Sequence, residues 1–249
     1  MKRKERHHLK GNELVRTINA ARDFVEARRR LVSGLLVAGV IVLGVIVGVI
    51  AVQNQLRSRG QDLLAEAMVA LNARVVPIGA QGEDNVPAAA TLGAIGSFPT
   101  EEAKLNAALP KLTVAAETYP DSDAGITARY HLAGALAAIG RSREAMQAFD
   151  EVMQRAGTNT LYGRMAMLGK ADAQSEAGEL EAAIGTWKDL ASNASEELPV
   201  DAILMQLARA YVVQGNTEEA LKTYTQIIDE HPASPYTPEA RYEIETLKG

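Results

Sequence analysis

The chain has no cysteine, which excludes disulfides, thiolate metal sites and cysteine nucleophiles. Aromatic residues fill only 4% of its 249 positions, with a single tryptophan. Strands favour aromatic and β-branched side chains, whereas the plentiful leucine, alanine, glutamate, arginine and glutamine lose little rotamer freedom in a helix. The composition therefore predicts an all-α protein. Catalytic signatures are also missing. There is no H-E-x-x-H, no Walker A loop, no G-x-S-x-G and no G-x-G-x-x-G, so metalloprotease, nucleotide, acyl-transfer and dinucleotide chemistry lack their usual residues. Gly79, Gly82, Gly93 and Gly96 follow no strand that would make them a phosphate cradle. Asp121-Ser122-Asp123 opens like a calcium loop, but Leu132 stands where the bidentate glutamate belongs, and these aspartates read instead as helix caps. His131 and His231 are far apart and read as structural, and His7-His8 as solvated. Asn193-Ala194-Ser195 matches a glycosylation sequon, a pattern too short to carry much meaning by itself. The expectation is a protein that is not an enzyme and holds no cofactor or metal.

Charge is present but unevenly placed. Residues 1–30 carry ten Lys/Arg against four acids, a net +6, which leaves −11 for the rest of a chain whose total is −5. From Leu31 to Val52 there are 22 residues without a charge. At about 1.5 Å per residue this makes a helix of roughly 33 Å, long enough for a hydrocarbon core of about 30 Å. The run is too long for a signal-peptide core, and no A-x-A site follows it. Arg28, Arg29 and Arg30 precede the run, with seven more basic residues upstream, while only Arg57 and Arg59 closely follow it. The positive-inside rule then places the N-terminus in the cytoplasm and the remainder beyond the inner (cell) membrane. Gly44 and Gly48 form a G-x-x-x-G pair that would let two such helices pack closely, so a homodimer is one expectation. The basic arm lacks the interleaved aromatics of a single-strand binder, and topology already accounts for its charge, so no nucleic-acid partner is expected. Leu14, Ile18, Phe24 and Val25 predict a short amphipathic helix before the membrane.

Beyond the span the sequence repeats. Gly140…Ala145, Gly178…Ala183 and Gly215…Ala220 share a Gly-x-x-x-x-Ala pattern. An aromatic follows four residues later (Phe149, Trp187, Tyr224) and an aliphatic three after that (Val152, Leu190, Ile227). The period is 38 and then 37 residues. Glycine ends a first helix, alanine allows close helix approach, and the two larger side chains fill the next groove. A unit of this kind needs stacked neighbours to complete its core. Lys170 and Gln174 fall where apolar residues are expected, so the middle unit's first helix should be shifted or irregular. Upstream, Thr100 predicts the cap of a helix reaching about Thr118, kinked at Pro110, with Gln61–Val75 as its partner through Leu64, Met68 and Leu71. Pro238–Leu247 predicts a solvating cap helix. The resulting division is a basic cytoplasmic arm (1–30), a transmembrane helix (31–52), a connecting helix and Gly/Ala/Pro-rich loop (53–99, the structureless part being 76–99), and a repeat domain (100–249, with 61–75 as its first helix).

The last unit, Asp201–Ser234, carries Leu204, Leu207, Ala208, Tyr211, Gly215, Ala220, Tyr224, Ile227 and Pro232 at tetratricopeptide-repeat (TPR) spacing, and so resembles that repeat. The unit from Ile126 matches through Leu132, Ala133, Leu136, Gly140, Ala145, Phe149 and Val152, with Gly157 in place of the closing proline. The layout from about Ala20 onward, with Tyr119-Pro120, Ala128-Arg129-Tyr130, Leu132-Ala133 and Gly140, resembles the bacterial family of ancillary SecYEG translocon subunits, whose TPR domain is similar to that of the cell-division coordinator CpoB. The Lys2-Arg3-Lys4-Glu5-Arg6-His7-His8 opening departs from that family's short tails. The resemblance implies an inner-membrane protein with a periplasmic TPR domain near the SecYEG translocon and periplasmic chaperones. It also implies an inner wall made by the first helix of each pair. Transferring that spacing selects Thr127, Tyr130 and Gly134; Met165, Leu168 and Asp172; and Met205, Arg209 and Val212. This wall is largely apolar and suits an apolar peptide, although the same residues would equally pack on the array's own loops or cap helix. The expected function is a membrane-anchored interaction scaffold at the translocon. The alternatives are an envelope or division coordinator acting through peptidoglycan-synthesis partners, or a non-catalytic subunit of an enzyme complex.

Overall fold

The structure is a computed structural model that describes residues 22, 29–76, 97–193 and 198–249. Apart from residues 22, 29 and 30, the basic arm with its expected amphipathic helix lies outside the described residues, as do residues 77–96 of the Gly/Ala/Pro-rich loop and the sequon after Asn193. The chain divides into two compact units, Met1–Leu56 and Arg57–Gly249.

The first unit contributes most of α1 (Arg29–Leu71). Its apolar stretch has a mean hydropathy of 2.3 with no part of it buried, so this is a helix long and apolar enough to cross a membrane. Gly44 and Gly48 lie on it, with open space where a Cβ would stand. The helix expected separately from residue 61 is the continuation of α1, and it stops at Leu71 rather than Val75. Val75 belongs instead to a two-residue strand, β1 (Arg74–Val75), paired in parallel with β2 (Ser97–Phe98).

In the second unit the helices form successive pairs. The C-terminal part of α1 packs against α2 (Glu101–Thr118) through a face of small residues: Ala67 is fully buried among Leu105, Ala108, Leu109 and Leu112. Leu63 and Leu64 meet Ala115 and Ala116, while Met68 is only half-buried. Lys111 bonds Glu66 across this pair at 2.9 Å. Thr100 caps α2 by accepting from the Ala103 N–H, and the helix runs through Pro110 without a break. The next pairs are α3 (Asp123–Ala138) with α4 (Ser142–Ala156), α5 (Leu161–Glu176) with α6 (Leu180–Ser192), and α7 (Val200–Gln214) with α8 (Thr217–Glu230). A final helix, α9 (Thr237–Lys248), packs on α8.

The repeat pattern has a geometric cause at each pair. Gly140, Gly178 and Gly215 have φ near +80°, a conformation an L side chain resists. The N–H of the residue after each glycine returns to a carbonyl five residues back, at Leu136, Gln174 and Tyr211 respectively. This closes the first helix in a Schellman turn and aims the chain into the second. Ala145, Ala183 and Ala220 are fully buried where the two helices cross, and Phe149, Trp187 and Tyr224 fill the groove beside them.

The middle pair corrects its expectation. Helix α5 is regular and uninterrupted, and Ala171 takes the place that Ala133 and Ala208 take in the neighbouring units. Lys170 reaches Asp150 of α4 at 2.6 Å, and Gln174 accepts from the Thr186 hydroxyl at 3.2 Å. Polar residues sit at apolar positions because each has a partner on an adjacent helix. The aspartate caps are also corrected. Ser122 caps α3, accepting from Gly125 N–H at 3.1 Å, while Asp121 pairs with Arg155 at 2.5 Å.

Arg129 of α3 ties three helices together. Its buried guanidinium pairs with Glu151 of α4 and donates to the Ala116 carbonyl of α2 at 3.1 Å. Burial, and then the charge of Arg155, hold its pKa below the ordinary arginine value. Glu151→Ala should therefore remove the ion-pair partner of a buried cation, leaving Glu117 and Asp121 as its acidic neighbours, and lower stability by about 1–2 kcal/mol, discounted because Glu151 is half exposed. Arg129→Met, which removes the charge and keeps the stem volume, should cost less. Denaturant midpoints of the two variants compared with the parent check this ordering.

Candidate peptide-binding face

The first helices α3, α5 and α7 present the face on which the sequence placed the binding residues, and the structure treats those residues differently. Tyr130 and Tyr162, from α3 and α5, form the centre of an aromatic group. Their rings meet edge to face at 5.8 Å, and Phe149 and His131 lie 6.0 and 5.6 Å from Tyr130. The Thr127 hydroxyl donates to Tyr162 Oη at 2.9 Å. Gly134, one turn after Tyr130 on α3, is exposed with open space around it. Asp172, farther along α5, accepts from the Trp187 indole N–H at 3.2 Å. Met165 and Leu168 are half-buried against the C-terminal core cluster.

On α7 the assignments separate. Arg209 is exposed and donates to Glu239 of α9 at 2.5 Å. Val212 and Val213 are exposed, Val213 at 76%. Met205 is corrected from wall to core: it is 1% exposed, in a cluster that also receives Tyr236, Ile244 and Leu247. Helix α7 buries Ile203, Leu204, Met205, Leu207 and Ala208. A helix apolar nearly all round is enclosed by its neighbours and presents little wall.

The electrostatics of the face are one-sided near α3 and α5. Burial raises the Tyr130 pKa, and the nearby Tyr162 and Asp172 raise it further. Burial also raises Asp172; the Trp187 hydrogen bond opposes this, and Glu176 adds to it. Burial lowers His131, which favours its neutral form. For Asp172 the folded pKa lies above the unfolded one, so its contribution favours folding at low pH and is lost as pH rises through the folded value. Asp172→Asn keeps an acceptor for Trp187 and removes that penalty. It should leave stability at pH 7 unchanged or slightly raised, and flatten the fall in stability as pH rises above the ordinary aspartate value of about 4. Urea unfolding across that range, followed by fluorescence of the only tryptophan, checks the sign.

Sequence reasoning missed Tyr162, although a signal was available. Ser122 and Thr160 stand 38 residues apart, each accepting from the N–H of a glycine three residues on, Gly125 and Gly163. This repeated Ser/Thr-x-x-Gly fixes the start of α5 and puts Tyr162 in its first turn. Elsewhere, depressions of 710 Å³ beside Leu198–Asp201 and Glu230–Pro235, and of 570 Å³ beside Arg164 and Asn193, are made by the turns between units. Neither includes the aromatic group. Among the described residues no three His, Asp or Glu side chains converge as a metal site.

A family model described as a tetratricopeptide repeat-like domain matches residues 138–237. No curated protein matches the chain. A tetratricopeptide repeat protein from Parabacteroides merdae is similar over 59% of this chain and 54% of its own, at 18% identity and a TM-score of 0.49. Nearly identical TPR-like repeats from Podosopora anserina are similar over 58% of this chain and 77% of their own, at 19% identity and the same score. This chain thus spans about half the length of the first of these structures. The helix pairs, their glycine turns and the matched family model together make the fold of this chain an apolar helix followed by a TPR-like helical-repeat solenoid, an architecture whose ordinary work is non-catalytic protein interaction.

Proposed function

We propose that this chain is a single-pass inner-membrane scaffold that holds proteins or apolar peptides against the first-helix face of its repeat domain, close to the SecYEG translocon and periplasmic chaperones. The observation that carries the reading is the half-buried aromatic group of Tyr130 and Tyr162, whose rings meet edge to face at 5.8 Å. It is a polar-edged apolar surface of the sort that takes an extended or helical segment. The basic residues before α1 support an N-terminus in the cytoplasm and a repeat domain in the periplasm. The layout's resemblance to the ancillary translocon subunits supports the choice of partners.

In-cell photo-crosslinking tests the proposal, with the reactive side chain at Tyr130 or Arg209, and at Gln147 of α4 as an off-face control. Translocon subunits or periplasmic chaperones trapped from the first two positions and not the third are the expected result. If gently solubilised membranes give neither class of protein, the translocon reading fails. Deleting residues 31–52 should move the chain to the soluble fraction, and its persistence in carbonate-washed membranes would overturn the anchor.

A further inference from the structure

A pocket of 180 Å³ opens between α6 and α8, the second helices of the last two pairs, over the first helix α7. Leu204 and Leu207 of α7 give it an apolar lining, and Tyr211, only 6% exposed, stands beside them. Among the described residues the Tyr211 hydroxyl has no hydrogen-bond partner, and Arg129 Nε is the one fully enclosed side-chain polar atom without one. The Tyr211 oxygen is therefore not sealed in the core; it reaches the surface at the pocket that its own side chain lines. Burial, and then Glu219, hold its pKa above the ordinary phenol value, while Lys222 opposes them, so at neutral pH the oxygen keeps its proton. The other hydroxyl and amide groups around the pocket are already engaged. Ser192 donates to the Asp189 carbonyl at 3.0 Å, Thr223 to the Glu219 carbonyl at 2.7 Å, and Gln226 to Glu230 at 2.9 Å. The principal uncommitted donors are then the Tyr211 O–H and two ammonium groups. Lys188 of α6 is exposed and in no ion pair among the described residues, and Lys222 of α8 stands 4.0 Å from Glu219, at the limit of pairing.

We infer that this pocket receives the carboxylate of a glutamate side chain presented by a partner protein, with Tyr211 donating to it, Lys188 and Lys222 as its counter-charges, and the glutamate methylenes against Leu204 and Leu207. The size of the ligand follows from the volume. A space of 180 Å³ holds about six waters at roughly 30 Å³ each, enough for one side chain and short of the ~300 Å³ at which small-molecule sites begin. The rest of such a ligand lies outside, as a protein chain would. Its charge follows from the donors. A cationic group would meet two lysines, with Glu219 as the only acid lining the pocket. A neutral amide would use the hydroxyl and leave both lysines unpaired. A carboxylate takes both kinds of donor at once. None of these residues belongs to the Tyr130 and Tyr162 group, so the inference stands apart from the first-helix face.

The test uses the full chain in nanodiscs and three short blocked-end fluorescent peptides, alike in Ala and Ser except for Glu, Gln or Lys at the centre. Unlabelled Glu peptide and free glutarate serve as competitors. Fluorescence polarisation should show the Glu peptide binding about five- to tenfold more tightly than the Gln peptide, the order of a charge-assisted hydrogen bond with partly exposed counter-charges. The Lys peptide should bind most weakly. Tyr211→Phe should reduce the Glu advantage by about threefold or more and leave the urea midpoint unchanged, because the hydroxyl holds nothing inside the chain. Lys188→Gln should also remove most of the advantage, whereas Arg143→Gln, which alters an exposed cation of α4 outside the pocket, should not. Equal affinity for the Glu and Gln peptides, no saturable binding of the Glu peptide, or a Glu preference untouched by Tyr211→Phe would each overturn the pocket. So would a lowered midpoint in Tyr211→Phe, since the hydroxyl would then be bonded within the fold. Glutarate competing at lower concentration than the unlabelled Glu peptide would assign the pocket to a free acid and overturn the protein source.

Discussion

Gly163→Ala will destabilise the repeat domain by about 2–4 kcal/mol, whereas Gly134→Ala will leave it unchanged or stabilise it by about 0.5–1 kcal/mol. Both glycines lie in first helices, so helix propensity alone would favour alanine at each. They differ in what a Cβ would meet. At Gly163 it would overlap the Gly157 carbonyl, a backbone group that cannot swing aside, and at Gly134 it meets nothing within 4 Å. Gly125 repeats the arrangement one unit earlier, against the Tyr119 carbonyl. In both places the Ser122 or Thr160 hydroxyl donates to that carbonyl and accepts from the glycine N–H. Opening the turn to admit a methyl group therefore also strains a capping contact worth about 1 kcal/mol. Urea unfolding of Gly125→Ala, Gly163→Ala and Gly134→Ala, followed by circular dichroism, decides the matter. Equal midpoints for Gly163→Ala and Gly134→Ala would show that the turn gives way freely.

A second large effect is expected at the aromatic of each unit. Tyr224→Ala removes a side chain that is 1% exposed and should cost about 3–5 kcal/mol, with Trp187→Ala and Phe149→Ala similar. The location of the loss distinguishes them. Buried residues fall into two large clusters, one drawing on α1, α2, α3 and α4 and the other on α6, α7, α8 and α9, with α5 contributing Ala166 and Ala173 to the first and Ala171 to the second. In a stack held by nearest-neighbour contacts, damage is felt first within its own cluster. Hydrogen exchange should therefore show Tyr224→Ala lowering protection across α6–α9 while α2–α4 retain theirs, and Phe149→Ala doing the reverse. Uniform loss throughout would mean that the solenoid opens as one cooperative unit.

These two expectations mark what the sequence made legible. The glycine–alanine–aromatic register carried the helix pairs because each of its positions has a steric cause, seen at Gly140, Ala183 and Tyr224. The cap at Thr100, the end of α2 at Thr118 and the last helix were readable for the same reason. What escaped were features whose cause lies on another element. Lys170 and Gln174 read as defects because Asp150 and Thr186, which satisfy them, are remote in the helical frame. The strand pair at Val75 and Phe98 is too short for any alternation to show. Met205 was placed on the open face by transfer of spacing, but the neighbours of α7 bury it. Tyr162 was hidden behind a cap repeat that becomes visible only once Ser122 and Thr160 are compared. The candidate face at Tyr130, Asp172 and Arg209 is a proposal from repeat spacing, on the reasoning that equivalent positions of successive first helices face the same side.

At Gly169 an absent atom does the positioning. The Phe149 ring lies where a Cβ would stand, with three of its ring carbons crowding that point. Helix α5 thus meets α4 like a key in a slot: sliding it by one residue would bring Leu168 or Lys170 beneath the ring, and neither fits. A register fixed by shape at one point does not have to be fixed by hydrophobicity along the rest of the helix. That leaves α5 free to carry a lysine, a glutamine and an aspartate without losing its place. The least apolar of the first helices is thereby the one most free to vary, and changes at Asp172 or Met165 can be made without unsettling how the array is stacked.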